Sequence, residues 1–389
     1  SLPQTPRLAV DSSSALGPWS RVSEHRRPSG QSAFATGRRT PGVHRREFLE
    51  TAGGVLALGG PLALGESRVR RDAYRNPVYD AVFPDPDVLR VDGTYYAYGT
   101  YHPWTDGEGP DRELVPILRS SDLVDWELVG PAFERPPEWS RYRGLWAPGV
   151  GQFGDRTVLY YSDSEFGATN PGVGVASAAD PTGPFEPRGG LFRSEAVGVP
   201  NSIDPAVVVR KGTPYLFWGS HRGIYGVELA PDGLSTAASA DETFQLAGRG
   251  VEAPFLIERG GSFYFFGSRG TCCAGADSTY HVVAGRAEDL RGPYRNRAGE
   301  RLTAEGATGT AILRENDRFL GPGHCAPVRD AAGDWWLLYH AYEAGNAWVG
   351  DTPRRVLMLD PIRWADDWPV VGEDGTPSES GPTPADSTL

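Results

Sequence analysis

Five times along this 389-residue chain, a short motif that mostly sets a polar side chain beside proline is followed about ten to twelve residues later by an aromatic-rich run. The motifs are Pro84-Asp85-Pro86, Trp146-Ala147-Pro148, Ile203-Asp204-Pro205, Glu252-Ala253-Pro254 and Gly321-Pro322-Gly323-His324. The runs begin at Tyr95, Val158, Tyr215, Phe263 and Trp335. Successive motifs start roughly 50 to 70 residues apart, near the period of propeller blades. Turn dipeptides such as Asp92-Gly93, Asp232-Gly233 and Gly260-Gly261 separate the strands, and the mature region lacks helical periodicity. The pattern predicts an all-β protein, a five-bladed β-propeller in a single domain over 76–372, with blades near 83–135, 146–190, 203–248, 252–300 and 322–371. A large sandwich would also use such strands, but it would not explain why polar groups begin the units. The Pro/Ser/Thr/Asp-rich residues 373–389 read as a flexible tail.

Bulk properties narrow the partners. A net charge of −12 argues against nucleic acid, whose phosphates need a basic surface. Residues 1–70 carry ten arginines against five acids, a balance of +5 that leaves −17 on the rest of the chain. The three cysteines cannot make a disulfide framework. Adjacent Cys272 and Cys273 are expected to be free thiols in a loop, because bridging neighbours closes a strained ring. No Cys-x-x-Cys spacing suggests structural zinc.

The front end reads as an address. Residues 1–44, rich in Ser, Pro, Gly and Arg, are expected to be a disordered extension. Within 45–66, Arg45-Arg46-Glu47-Phe48-Leu49 precedes a small-residue apolar run, the order of parts in a twin-arginine export signal. That run is too short to span a membrane. The expected product is a secreted, extracellular protein with no membrane span in its mature chain, and a monomer.

Asp85, Asp204 and Glu252 stand in phase with the repeat. In a propeller they converge on one channel, where burial and like-charge repulsion raise the pKa of at least one. Hydrolysing an acetal needs this division of labour: one acid protonates the leaving oxygen, and one base deprotonates water across the sugar ring. Trp146 offers a face on which the C–H groups of a sugar can stack.

Taken in order, Phe83-Pro84-Asp85-Pro86-Asp87-Val88, Trp146-Ala147-Pro148, Ser202-Ile203-Asp204-Pro205 and Glu252-Ala253-Pro254-Phe255 resemble glycoside hydrolase family 43. The Cys272-Cys273 loop, Ser278-Thr279-Tyr280 and Gly321-Pro322-Gly323-His324 are similar to its arabinanase branch. The likeness covers about residues 76–371. It implies a five-bladed inverting enzyme in which Asp85 is the general base, Glu252 the general acid, and Asp204 tunes that acid. It implies endo-hydrolysis of α-1,5-L-arabinan, with exo-acting α-L-arabinofuranosidase or β-xylosidase action as the alternative within the family and a non-catalytic sugar-binding propeller as the alternative outside it. The partner would be a plant cell-wall polysaccharide, and no organic cofactor is implied.

By the same likeness, Asn201, Ser202, Ile203, Ser220 and His221 would join Trp146 along the substrate, and His324 would hold a calcium ion in the channel. Calcium prefers oxygen ligands, so a histidine that only hydrogen-bonds the carboxylates is the competing reading. Three positions depart from the family pattern. Pro84 stands where histidine is typical, Gly149 where an acid follows Trp-Ala-Pro, and Gly219-Ser220-His221-Arg222 lacks an aromatic common in endo-arabinanases. All three touch the substrate floor rather than the carboxylates.

Overall fold

The computed structural model describes residues 73–100, 114–142, 144–237 and 242–385. The extension at 1–44 and the export segment at 45–66 lie outside the described residues.

Five antiparallel sheets follow one another along the chain. Blade I holds Asp87–Val91, Thr94–Tyr98, Leu114–Ser120 and Glu127–Phe133. Blade II runs from Gly144–Phe153 to Glu186–Arg193, blade III from Ala206–Arg210 to Phe244–Ala247, and blade IV from Glu252–Arg259 to Thr310–Leu313. Blade V contains Phe319–Arg329, Trp335–Glu343 and Val356–Ala365, and its next strand comes from the other end of the domain: Tyr79–Val82 pairs with Val356 and Leu357.

The aromatic runs explain the stacking. Tyr160, Phe217, Phe265 and Leu338 are fully buried in second strands, because each sheet is covered on both faces by its neighbours. Five apolar clusters result, one at each interface between consecutive blades, including one between blades V and I that closes the ring. Burying such side chains contributes roughly 1.5–3 kcal/mol each, which makes these interfaces the main source of stability.

Over residues 373–385 the expectation of a loose tail is corrected, and 386–389 lie outside the described residues. Ser380–Pro382 pairs with Ala73–Arg75, and Ala385 N donates to Asp330 Oδ2 at 2.9 Å. Just before that strand, Ser378 hydrogen-bonds buried Asp360, which also accepts from Tyr74 (3.0 Å) and Tyr339 (2.6 Å). Asn76 donates to the carbonyls of Leu359 and Ser378, both at 2.9 Å. Polar composition suggested a tail, but these polar groups pair with a buried carboxylate and the opposite terminus.

Burial pushes Asp87 up to about 7 and Asp360 up to about 6, despite the hydrogen bonds each accepts. A carboxyl raised in the folded state binds its proton more tightly there than in the unfolded chain. Its contribution is therefore complete below the ordinary carboxylate pKa and is lost as pH rises through 6 to 7. Buried His324 and His340, whose pKa values are lowered, act with the opposite sign over this range, so the test is differential. The Tm advantage of the unmodified protein over Asp87→Asn is expected to shrink as pH rises from 5 to 7.5, and an advantage constant across that interval overturns the assignment.

Candidate active site

One structural device repeats at the inner end of every blade. Asp85, Ala147, Asp204, Ala253 and His324 all have left-handed backbones, with φ of 55°, 41°, 59°, 53° and 47°. Non-glycine residues rarely adopt this conformation, and four of these five precede proline, which itself disfavours right-handed helix. In blades II, IV and V a bulge interrupts strand pairing here, between Trp146 and Gly149, Glu252 and Phe255, and Gly323 and Ala326. A bulge re-aims side chains, and here the motif residues leave the ladder at the channel.

The freed backbone N–H groups are caught by a matching set of acceptors. Ala147 N donates to Thr100 Oγ1 (2.8 Å), Asp204 N to Ser162 Oγ (2.9 Å), His324 N to Ser268 Oγ (2.8 Å) and Asp85 N to His340 Nδ1 (3.1 Å). Each acceptor lies at or just beyond the second strand of the preceding blade. Only blade IV differs: Ala253 N donates to Asp204 Oδ2 (3.2 Å), while Ser220, at the corresponding position, donates to Glu252 Oε2 (2.7 Å). These acceptors were readable in principle, since each aromatic run ends in Thr100, Ser162, Ser220, Ser268 or His340.

Asp85, Asp204 and Glu252 open into one cavity of about 460 Å³. Asp85 Oδ1 accepts from Arg355 Nη1 (2.7 Å) and lies 3.4 Å from His324 Nδ1; Asp85 Oδ2 accepts from Thr100 Oγ1 (2.5 Å). Burial pushes this carboxyl up, but Arg355, aided by the histidines and Thr100, holds it well below the usual carboxylate range. Asp204 moves the other way: burial, then the negative charges of Glu252 and Asp85, raise it well above that range. Burial raises Glu252 too, yet hydrogen bonds from His221, Ser220 and Tyr280 outweigh it and keep the carboxyl low. The buried Asp204–Glu252 pair therefore carries its proton on Asp204 while His221 is charged.

Trp146, Asn201, Ile203, Ser220 and His221 line the cavity. Ser202 does not. Its side chain is fully buried, donating to Val199 O at 2.8 Å and accepting from Trp218 Nε1 at 3.1 Å, because it points into the apolar layer between blades II and III. Cys272 and Cys273 are also corrected: they form a vicinal disulfide on the cavity wall, and buried Cys325 is the free thiol. Their loop is folded tightly, with Ser278 Oγ bonded to Thr271 O (2.8 Å) and Tyr342 OH to Cys272 O (2.9 Å).

Several lining residues escaped the sequence reading, Arg355 and Phe166 among them. Arg355 sits in an arginine-rich stretch with no repeat to flag it, and Phe166 lies in a loop. Phe166 is 84% exposed, its ring 5.2 Å from that of Trp146. Gly149, where an acid would fit the family pattern, packs so closely on blade III that a Cβ would lie 2.3 Å from Pro205 O.

A ring of blades around paired carboxylates, with an aromatic wall, defines a propeller glycosidase. The chain belongs to the glycosyl hydrolases family 43, whose family model matches residues 74–369. It is 30% identical over 337 residues to the extracellular endo-α-(1→5)-L-arabinanase 1 of Bacillus subtilis, covering 83% of this chain and 97% of that protein. It is also 30% identical over 321 residues to the extracellular exo-α-(1→5)-L-arabinofuranosidase ArbA of Cellvibrio japonicus, covering 74% of this chain and 86% of that one. Among solved structures, the α-L-arabinanase of Cellvibrio cellulosa superposes with a TM-score of 0.65 at 29% identity, covering 75% of this chain and 96% of that chain.

Proposed function

We propose that this protein is a secreted arabinanase that cuts α-1,5-linked arabinan internally by single displacement. The observation that carries the reading is the convergence of Asp85, Asp204 and Glu252 from three blades on one aromatic-walled cavity. Asp85, kept ionised by Arg355, is the base that takes a proton from the attacking water. Glu252 is the acid that protonates the departing sugar oxygen. Asp204 lies against Glu252 and holds the proton of the pair in the free site, and the acid step requires that proton to pass to Glu252 as substrate enters. An inverting site of this kind sets base and acid roughly 6.5–9.5 Å apart, leaving room for the water. Relatives described as extracellular support secretion, as does the disulfide, which suits an oxidising compartment. The arginine pair Arg45-Arg46 supports the twin-arginine route.

The calcium expected at His324 does not fit the residues present. Among the described residues no three His, Cys, Asp or Glu side chains form a cluster able to hold a metal. The oxygen of Asp85 facing His324 already takes the Arg355 guanidinium. The reading of His324 that fits is a neutral imidazole beside the base, its pKa lowered by burial, and no step is assigned to an ion.

Proton NMR of linear α-1,5-arabinan during digestion tests the proposal, with Glu252→Ala as control. Oligosaccharides appearing first as the inverted β-anomer, only with Glu252 intact, are expected. Retained configuration overturns single displacement. The 30% identity to an exo-acting relative supports a second reading, exo action, and monosaccharide as the sole first product would establish it over endo cleavage. The exposed ring of Phe166 beside Trp146 supplies a stacking platform at the cavity wall. Phe166→Ala is expected to raise KM for arabinan about five- to tenfold with kcat little changed, from roughly 1 kcal/mol of lost stacking. Unchanged KM in steady-state kinetics removes Phe166 from the substrate path.

A further inference from the structure

We infer that His221 stores and returns the proton that Glu252 delivers to the departing sugar oxygen, an inference that rests on the arabinan-cleaving reading above. His221 Nε2 lies 3.0 Å from Glu252 Oε2. The contact is built into the backbone. Gly219 N donates to Ile203 O (2.8 Å), His221 N to Val251 O (2.9 Å), and Gly250 N to His221 O (3.1 Å), so the 219–223 loop is strapped to the start of blade IV. Ser220 and Glu252 pair as an isolated bridge, and His221 is held at φ 56°, a conformation that costs energy outside glycine.

Exposure separates His221 from the other partners of the acid. Its side chain is 48% exposed, against 9% for that of Glu252. Ser220 and Tyr280, which also hydrogen-bond Glu252, are buried at 2% and 1% and cannot exchange protons directly with solvent. The imidazole thus joins the buried acid to bulk water. Glu252 raises the pKa of His221, an effect that outweighs its partial burial and the opposing charges of Arg222 on its own loop and Arg269 on blade IV. Beyond Glu252 lie Asp204, which holds the proton of the carboxyl pair, and Asp85, which Arg355 keeps ionised.

The cycle balances. As the C1–O bond breaks, its electron pair goes to the oxygen, which takes the proton of Glu252; water adds to C1 and gives a proton to Asp85. Glu252 is then a carboxylate. The imidazolium passes its Nε2 proton to Oε2, the neutral ring takes a proton from solvent, and Asp85 releases one to solvent. One water is consumed and no net proton.

The test compares His221→Ala and His221→Gln with the unmodified enzyme on linear arabinan and on 4-nitrophenyl arabinotrioside, whose leaving group departs without protonation. On arabinan both variants are expected to lose about 10- to 100-fold in kcat, within the range for general acid catalysis. On the nitrophenyl substrate the loss is expected to stay within about threefold. The basic limb of kcat/KM on arabinan is expected to move to lower pH, because a carboxyl rather than a raised imidazole now holds the last proton. Added imidazole is expected to restore His221→Ala. Equal losses on both substrates, undiminished arabinan activity, or no imidazole rescue would each overturn the role of His221. An unmodified enzyme that leaves arabinan intact overturns the underlying reading instead, and separates that failure from this one.

Discussion

Asp85→Asn is expected to lower kcat on arabinan by about a thousandfold or more, with binding of arabino-oligosaccharides within a few-fold of the unmodified enzyme. The amide keeps the shape of the carboxyl. Its oxygen can still accept from Arg355 Nη1, and its NH2 can donate to Thr100 Oγ1, which already accepts from Ala147 N. What disappears is the lone pair able to take a proton from water, and general base catalysis is worth about 10²–10⁴ by itself. Arg355 loses its counter-charge while buried, so some stability is lost as well. Steady-state kinetics, calorimetric titration of a trisaccharide and a thermal melt separate the effects. Retained kcat would remove Asp85 as the base, and lost binding in a folded variant would make it a substrate-holding residue. The pH profile adds a check of known sign. A base must be ionised, and Asp85 is held below the ordinary carboxylate range, so activity is expected to persist as pH falls past 4 as far as Asp85 is concerned.

The inner ends of the blades were legible because the repeat is written in side chains of unusual type, an acid or histidine at or beside a strand-opening proline. Five such marks sufficed to order the blades and bring three carboxylates together. The phase was less legible. Asp85 and Asp204 occupy the left-handed position itself, whereas Glu252 stands one residue earlier, beside Ala253, which takes that conformation. The distance to proline writes that offset into the sequence, but only the fold shows its consequence, that Ser220 and His221 meet Glu252. The misassignment of Ser202 has the same root. Residues 201–204 belong to no strand, and left-handed backbones at Asn201 and Asp204 bring Asn201, Ile203 and Asp204 to the cavity while Ser202 enters the core, a facing that no simple periodicity encodes. The vicinal disulfide was missed because loop folding, rather than cysteine spacing, decides whether adjacent sulfurs meet. Arg355 was missed because it reaches Asp85 across 270 residues of sequence, through closure of the ring.

That closure supports the second large effect. Ending the chain after Gly372 is expected to lower Tm by about 10 °C or more, or to prevent recovery of soluble protein. Three losses coincide. The Ala73–Arg75 strand loses its pairing partner Ser380–Pro382, Asp360 loses the hydroxyl and amide of Ser378, and Asn76 loses the carbonyl of Ser378. Each buried polar group left without a partner costs about 1–3 kcal/mol, and each kcal/mol shifts Tm by roughly 2–4 °C in a domain of 150–250 residues. The clasp is joined to the active site through the chain itself: Asn76 is followed by Tyr79–Val82, the strand that completes blade V, and then by Asp85. A shorter form ending after Ala385 keeps every one of these contacts and is expected to melt with the full chain. The single variant Ser378→Ala, which removes the hydroxyl but keeps the backbone pairing, is expected to fall between them. Equal melting temperatures for the chains ending at 372 and 385 would show that the ring is closed by Tyr79–Val82 alone and that the terminal segment is dispensable.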